Sequence, residues 1–93
     1  MLNIPLTEGN GIRFFPDVIV VNSGDTISAF SSKCTHLGCR INQAEGDEIV
    51  CPCHGSRFNQ HGQVLHGPAM HGLQPLDYSV DRANAVLHVN LIK

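Results

Sequence analysis

All four cysteines of the chain lie within residues 34–53, together with one of its six histidines, and a second histidine follows at position 54. These residues form two short blocks, CTHLGC at residues 34–39 and CPCHGS at residues 51–56. Thiolate sulfur and imidazole nitrogen bind zinc and the irons of iron–sulfur clusters, and cysteines also pair as disulfides. The residue types therefore leave three possibilities open: a structural zinc site, a disulfide scaffold, or a metal centre that does chemistry.

The two blocks are nearly self-similar, because each contains two cysteines and one histidine. Each block follows a run of residues that is typical of a β-strand, so both are expected on loops at strand ends. Two such loops, each with one thiolate and one imidazole, can meet around a metal while the two remaining cysteines face each other. A loop pair of this kind needs a rigid β scaffold on either side.

Short apolar runs separated by turn residues predict that scaffold and almost no helix. Alternating and β-branched runs at residues 12–15, 17–22 and 25–31 predict a β-meander. Further strands are predicted at 47–51, in a hairpin of 56–59 with 63–66, and in a closing hairpin of 73–81 with 85–92. About eight short strands make an all-β, antiparallel sandwich or small barrel, in a single domain of residues 1–93.

Composition limits the function classes. The chain has 93 residues and a formal net charge of −2, and its six Lys and Arg residues are scattered singly. Such a pattern argues against nucleic acid as a partner. No apolar run approaches the roughly 20 residues that cross a bilayer, so no membrane segment is expected in this chain. A domain this small is marginally stable unless a metal or a disulfide supports it.

The blocks CTHLGC and CPCHGS resemble the two cluster-binding boxes of the Rieske iron–sulfur proteins. Each box has six defined residue types in the right order within a chain of predicted strands, which makes a chance match improbable. The strands before the first box, residues 58–69 after the second box, and the closing hairpin are similar to a minimal Rieske domain. Residues 66–70, which include Pro68, resemble the third loop that covers the cluster in this family.

The resemblance implies a [2Fe–2S] cluster held by the loops at about residues 33–58. Cys34 and Cys51 would bind one iron through thiolates, and His36 and His54 would bind the other through ring nitrogens. Replacing two thiolates by neutral imidazoles removes two negative charges, so an added electron costs less and the reduction potential rises.

The same resemblance assigns roles to residues around the cluster. Gly38 and Gly55 would let backbone N–H groups approach the sulfur atoms. In the disulfide-containing branch of the family a bridge joins the two loops, which implies a Cys39–Cys53 disulfide here. Ser56 matches a hydroxyl donor of the high-potential members, whereas Phe58 stands where those members have a tyrosine. Losing that hydroxyl should lower the potential by tens of millivolts, if its hydrogen bond is worth about 1 kcal/mol.

The implied function is one-electron transfer coupled to proton transfer through His36 and His54, in a respiratory or oxidase chain such as quinol oxidation. The domain would perform no substrate chemistry of its own, and its partners would be electron donor and acceptor proteins and possibly a quinol. The alternatives are the small subunit of a molybdenum oxidase similar to arsenite oxidase, and the Rieske ferredoxin of an oxygenase. A disulfide favours the periplasm or another oxidising face, with the cytoplasm still possible.

Two readings from other classes stay open at this point. A zinc-stabilised binding module would use the same four ligands, but it would leave Cys39 and Cys53 without a role. A redox sensor would use a labile Cys39–Cys53 bond as its signal. The remaining histidines lie far from a second block and are expected to be surface or hydrogen-bonded residues: His61, His66, His71 and His88.

A few apolar side chains complete the expectations. Met70 and Leu37 are expected either in an apolar rim beside the cluster or in ordinary packing. The three phenylalanines that precede the first block are expected in the core: Phe14, Phe15 and Phe30.

Overall fold

The computed structural model describes residues 2–6, 9–23, 26–34, 39–53 and 55–91. Every regular element in these ranges is a β-strand, and there are ten of them. Their bounds are β1 (Leu2–Pro5), β2 (Gly11–Phe14), β3 (Val18–Ser23), β4 (Thr26–Ser31), β5 (Gln43–Glu45), β6 (Glu48–Val50), β7 (Arg57–Phe58), β8 (Val64–His66), β9 (Tyr78–Asp81) and β10 (Val86–Val89). None of the ranges contains a helix with the length and apolar character to cross a membrane.

The strands form three antiparallel sheets with the orders β1-β10-β9, β2-β3-β4 and β5-β6-β7-β8. The all-β prediction is therefore confirmed, and the meander predicted from residues 12–31 is the second sheet. Its last register pair is Ser23 with Thr26. Residues 24 and 25, which lie between them, are outside the described residues.

Two strands were not predicted, which is why the structure has ten and not about eight. β1 exists because it pairs with β10 from the other end of the chain, where Ile4 lies opposite Leu87 and both are buried. β5 is exposed at all three positions, so it has no apolar alternation to reveal it. It pairs with β6 at the edge of the third sheet.

The penultimate strand is also shorter than predicted. Residues 73–81 were expected as one strand, but β9 covers only Tyr78–Asp81. Pro75 makes an isolated bridge with Phe30 instead. Proline has no N–H to continue a ladder, so a regular strand through this position is not favoured.

β3 divides the core in two, because successive side chains of a strand point to opposite faces. Val18 and Val20 pack in a core beneath the first sheet, and Ile19 and Val21 pack in a second core. The second core includes two cysteines, and its buried members are Ile19, Val21, Phe30, Cys34, Ile41, Ile49, Cys51, Phe58, Ala69 and Leu73. One central strand therefore supports both the closing hairpin and the cysteine loops. Phe30 is buried, while Phe14 and Phe15 pack at the edges of the two cores.

The turn between β7 and β8 packs against this second core. Gly62 has φ +78°, and a Cβ built there would lie 2.6 Å from Cε1 of Phe30. The Leu73 amide donates to the Gly62 carbonyl at 2.7 Å. Gly62 therefore lets Phe30 and the chain after the proline loop approach the same turn.

Candidate metal centre

Two buried cysteines are not disulfide-bonded, Cys34 and Cys51. Their relative exposures are 2% and 1%, and both belong to the second core. Cys34 lies three residues after β4, and Cys51 directly follows β6. β4 of the second sheet and β6 of the third sheet thus place the two thiols in one apolar core.

The two blocks have the same backbone closure. The amide of Cys34 donates to the carbonyl of Cys39 at 2.7 Å, and the amide of Cys51 donates to the carbonyl of Ser56 at 2.8 Å. In each block the first residue therefore bonds to the sixth. The near self-similarity of the two sequences is thus matched by the same closing hydrogen bond in each block.

Further hydrogen bonds hold the base of each loop. Ile41 donates its amide to Ser32 at 2.7 Å below the first loop, where Lys33 and Arg40 also form an antiparallel bridge. In the second loop the Gly55 amide donates to the Cys51 carbonyl at 3.1 Å. Gly55 has φ +81°, a conformation that glycine adopts without steric cost, so this glycine is required by the turn.

A disulfide joins the loops, as the resemblance implied. Cys39 and Cys53 are bonded with an S–S distance of 2.07 Å and a Cα–Cα distance of 6.5 Å. Cys34 and Cys51 are the two described cysteines that are not part of this bridge. The bridge fixes the spacing of the two loops that carry them.

The third loop covers the second block from the side. Gly67 and Pro68 are joined by a cis peptide bond, and Ala69, which follows, is buried in the same core as Cys34 and Cys51. The Ala69 amide donates a hydrogen bond of 3.0 Å to Oγ of Ser56. Since that oxygen accepts this bond, the Ser56 hydroxyl hydrogen stays available for another acceptor.

Phe58 is fully buried and lies opposite Ile49 in the sheet. It belongs to the same core as Cys34 and Cys51, so its ring forms part of the apolar wall near the thiols. Met70, in contrast, is 87% exposed at the third loop. Met70 is therefore not in ordinary packing, and its side chain is exposed to solvent beside the third loop. Leu37, the other residue expected in the rim, lies outside the described residues.

The two predicted imidazole ligands, His36 and His54, lie outside the described residues, as does Gly38. Within the ranges that are described, no group of three or more His, Cys, Asp and Glu side chains is placed to hold a metal. The other histidines have the surface or structural roles expected of them. His61, His66 and His71 are exposed, and Nδ1 of His88 lies 2.6 Å from Oδ1 of Asn3 on the neighbouring strand.

One group at the site was missed by sequence reasoning. Arg57 follows Ser56 directly and forms ion pairs with Glu45 at 2.6 Å and Glu48 at 3.1 Å. The hydrogen bond to Glu45, followed by that to Glu48, raises the pKa of Arg57 above its ordinary value. No signal for this group existed in the sequence, because Glu45 faces Glu48 only through the pairing of β5 with β6, and β5 was not predicted.

The residues present fit a [2Fe–2S] cluster. Cys34 and Cys51 share one buried core, and the remaining two cysteines are used in a bridge between the loops. Two buried thiolates without a metal would be unfavourable in this apolar environment, whereas iron supplies the compensating positive charge.

Comparison with known proteins identifies the family. The family model described as "Rieske [2Fe-2S] domain" matches residues 5–77. The cytochrome b6-f complex iron-sulfur subunit of Chlorobaculum tepidum is 36% identical over 89 residues, which are 94% of this chain and 49% of that protein. The chloroplastic cytochrome b6-f complex iron-sulfur subunit of Arabidopsis thaliana is 39% identical over 87 residues, covering 89% of this chain and 38% of that protein.

A solved structure agrees with these relatives over the whole fold. The cyanobacterial plasma membrane Rieske protein PetC3 from Synechocystis PCC 6803 superposes with a TM-score of 0.76 and 32% identity, covering 97% of this chain and 99% of that one. The chain spans about half the length, or less, of the two curated relatives. The buried thiol pair, the bridged loops and these similarities show that the chain belongs to the Rieske [2Fe–2S] family, whose cofactor is a [2Fe–2S] cluster.

Proposed function

We propose that this chain is a one-electron carrier of a quinol-oxidising electron-transfer complex. The observation that carries the proposal is the pair of buried cysteines outside the disulfide, Cys34 and Cys51, on two loops that close alike and are joined by the Cys39–Cys53 bond. The curated relatives named above are subunits of cytochrome b6-f complexes. They favour this assignment over the oxygenase ferredoxin and the molybdenum oxidase subunit.

We assign the cluster ligands as Cys34 and Cys51 on one iron and His36 and His54 on the other. The bound cluster supplies the chemistry, which is the uptake and release of one electron. Support for the thiolate half comes from the burial of both cysteines in one core. The assignment of His36 and His54 as ligands rests on the order of residues in the two boxes.

The protein around the ligands sets the conditions for that electron. The second core excludes water from the thiolate side, because Phe58, Ala69 and Leu73 are all buried there. Ser56 is fully buried and keeps one hydroxyl hydrogen to donate. A hydrogen bond from that hydroxyl to a cluster sulfur stabilises the more negative, reduced state and raises the potential.

The partners follow from the relatives. A donor that gives electrons singly to this domain, and an acceptor protein that takes them, are the minimum for a carrier. The quinol is the donor we assign, on the strength of the b6-f likeness and of the exposed loop tips at Cys53 and Met70. The disulfide supports a location on an oxidising face of a membrane.

Iron and sulfide analysis tests the proposal. The purified protein should hold two irons and two acid-labile sulfides and be red-brown, as in other Rieske proteins. Cys34→Ser, Cys51→Ser, His36→Ala and His54→Ala should each lose the cluster. His61→Ala is the matched control, because this exposed histidine lies in the turn between β7 and β8 and should leave the cluster in place. Stoichiometric zinc without sulfide would refute the proposal.

The coupling of electron transfer to a proton stays a prediction from the sequence, since His36 and His54 lie outside the described residues. If both rings expose a titrating nitrogen, the potential should fall by about 59 mV per pH unit for each proton taken up on reduction. Voltammetry over a broad alkaline range measures this slope.

A further inference from the structure

Arg57 begins a strand that the backbone ladder holds only weakly. β7 has two residues, Arg57 and Phe58, and its pairing with β8 is irregular between them. A bulge disrupts the local ladder and redirects side chains, so side-chain contacts matter more for the position of such a strand. Ser56, which lies immediately before β7, depends on this placement.

The guanidinium of Arg57 joins three strands of the third sheet. Nη2 donates to Glu45 on β5, and Nη1 donates to Glu48 on β6. Glu45 and Glu48 are direct cross-strand partners. Like charges in that position repel each other, so the arginine between them offsets a local repulsion and ties β7 to the β5–β6 hairpin at the same time.

Ser56, the residue before Arg57, is hydrogen-bonded both to the second block and to the third loop. The carbonyl of Ser56 accepts from the amide of Cys51, and its Oγ accepts from the amide of Ala69. Ser56 thus contacts a thiolate residue through its backbone and the third loop through its side chain. A displacement of β7 moves both contacts.

We propose that Arg57 is a positioning residue for the redox centre: by clamping Glu45 and Glu48 it holds Ser56 where its hydroxyl can bond the cluster. The inference deepens the proposed function and rests on it. Arg57 acts through Ser56, its neighbour in the chain.

A purely electrostatic role makes the opposite prediction for some variants, which makes the two accounts separable. Removing a negative charge near the cluster favours the added electron and raises the potential. Loss of the Ser56 hydrogen bond lowers the potential. A variant that removes a carboxylate and also loosens the clamp should therefore have a higher potential under the electrostatic account and a lower potential under the positioning account.

The experiment compares three variants of the holoprotein by protein-film voltammetry, with the electron paramagnetic resonance spectrum as a second readout. Arg57→Lys keeps the charge but loses the planar fork that binds two carboxylates. Glu45→Ala removes one negative charge and one arm of the clamp. Asp47→Asn removes one negative charge from the same turn, and in the described part of the chain Asp47 forms no ion pair with Arg57.

Positioning predicts a lower potential in Arg57→Lys and in Glu45→Ala, with an altered resonance spectrum, and an unchanged or slightly higher potential in Asp47→Asn. An unchanged potential in Arg57→Lys together with a rise in Glu45→Ala equal to that of Asp47→Asn would overturn the inference. Glu45→Ala keeps the test available if Arg57→Lys folds poorly, because Glu45 is two-thirds exposed at the sheet edge.

A double-mutant cycle with Ser56→Ala decides whether Ser56 carries the effect. In the Ser56→Ala background, Arg57→Lys should no longer lower the potential. An equal drop in both backgrounds would show that Arg57 does not act through Ser56. Failure of the proposed function is distinguishable, because it would appear as the absence of iron and sulfide in the unaltered protein.

Discussion

The amide of Ala69 donates a hydrogen bond of 3.0 Å to Oγ of Ser56, which lies 13 residues earlier in the chain. Both residues are buried. This bond connects the proline-containing loop to the second cysteine block, and it orients the hydroxyl that the family resemblance assigns to the cluster. We therefore expect this one serine to serve both the packing of the covering loop, which the hydrogen bond shows, and the tuning of the cluster, which the resemblance implies.

Ser56→Ala should affect stability and potential together. The buried Ala69 amide loses its acceptor, which costs about 1–3 kcal/mol of unfolding free energy. The loss of the hydroxyl donor should lower the potential by tens of millivolts. Chemical denaturation and voltammetry measure the two effects, and Ser79→Ala, at an exposed position on β9, should change neither. A normal potential in Ser56→Ala would remove the hydroxyl from the cluster environment.

Phe58→Tyr should raise the potential. The ring is fully buried in the core that holds Cys34 and Cys51, so we expect an added hydroxyl to lie near the cluster and to donate to one of its sulfurs. Voltammetry of the variant gives the shift, with Ser56→Ala as the change of opposite sign. If the hydroxyl found no partner, unfolding would become easier by about 1–3 kcal/mol with no change in potential, and the role assigned to this position would be wrong.

Thiol counting should identify two classes of cysteine. Alkylation of the denatured, unreduced protein should label Cys34 and Cys51 and leave Cys39 and Cys53 protected. Replacing both bridge cysteines by alanine should lower the free energy of unfolding by about 3 kcal/mol, the value expected for a closed loop of roughly 15 residues. Labelling of Cys39 or Cys53 under anaerobic, non-reducing conditions would contradict the bridge.

Gly62→Ala should be clearly destabilising. Its Cβ would lie 2.6 Å from the buried ring of Phe30, and the backbone has φ +78°. Gly46→Ala is the control, because Gly46 also has positive φ, at +57°, but a Cβ there would meet nothing within 4 Å. Chemical denaturation should show that Gly46→Ala lowers the free energy of unfolding by about 1 kcal/mol. Gly62→Ala should lower it by about 1–3 kcal/mol more. Equal losses would show that Phe30 yields without cost.

Asn84 controls the titration of Asp81 in the closing hairpin. Nδ2 of the Asn84 side chain donates to Oδ2 of Asp81 at 2.8 Å, and the backbone N–H of Asn84 donates to Oδ1 at 3.2 Å. These hydrogen bonds lower the pKa of Asp81. A pKa that is lower in the folded than in the unfolded chain adds stability above the unfolded pKa, and this stability is lost as the pH falls through the folded pKa.

Asn84→Ala should therefore raise the pKa of Asp81 towards its ordinary value. NMR titration of the Asp81 carboxyl carbon measures the shift. Asn42→Ala, at an exposed position away from this hairpin, should leave the Asp81 titration as it is. An unchanged pKa in Asn84→Ala would assign the lowering to another group.

The two boxes could be found in the sequence because residue types and their order are local properties, and the family resemblance then implied their chemistry. Cys34 and Cys51, each with a histidine and a second cysteine nearby, identify the boxes without any fold. The Cys39–Cys53 bridge came from the family resemblance, and the structure confirms it. The meander of β2, β3 and β4 was also predicted, because alternation and β-branching act within each strand.

The tertiary structure decided the contacts between segments that are distant in the chain. β1 is a strand only because β10 pairs with it, and β5 is one only because β6 does. Ala69 bonding to Ser56, and Arg57 bridging Glu45 and Glu48, likewise depend on how loops and strands meet. Residue types and periodicity determine what each segment can do, whereas these long-range contacts depend on packing around β3, which no local pattern encodes.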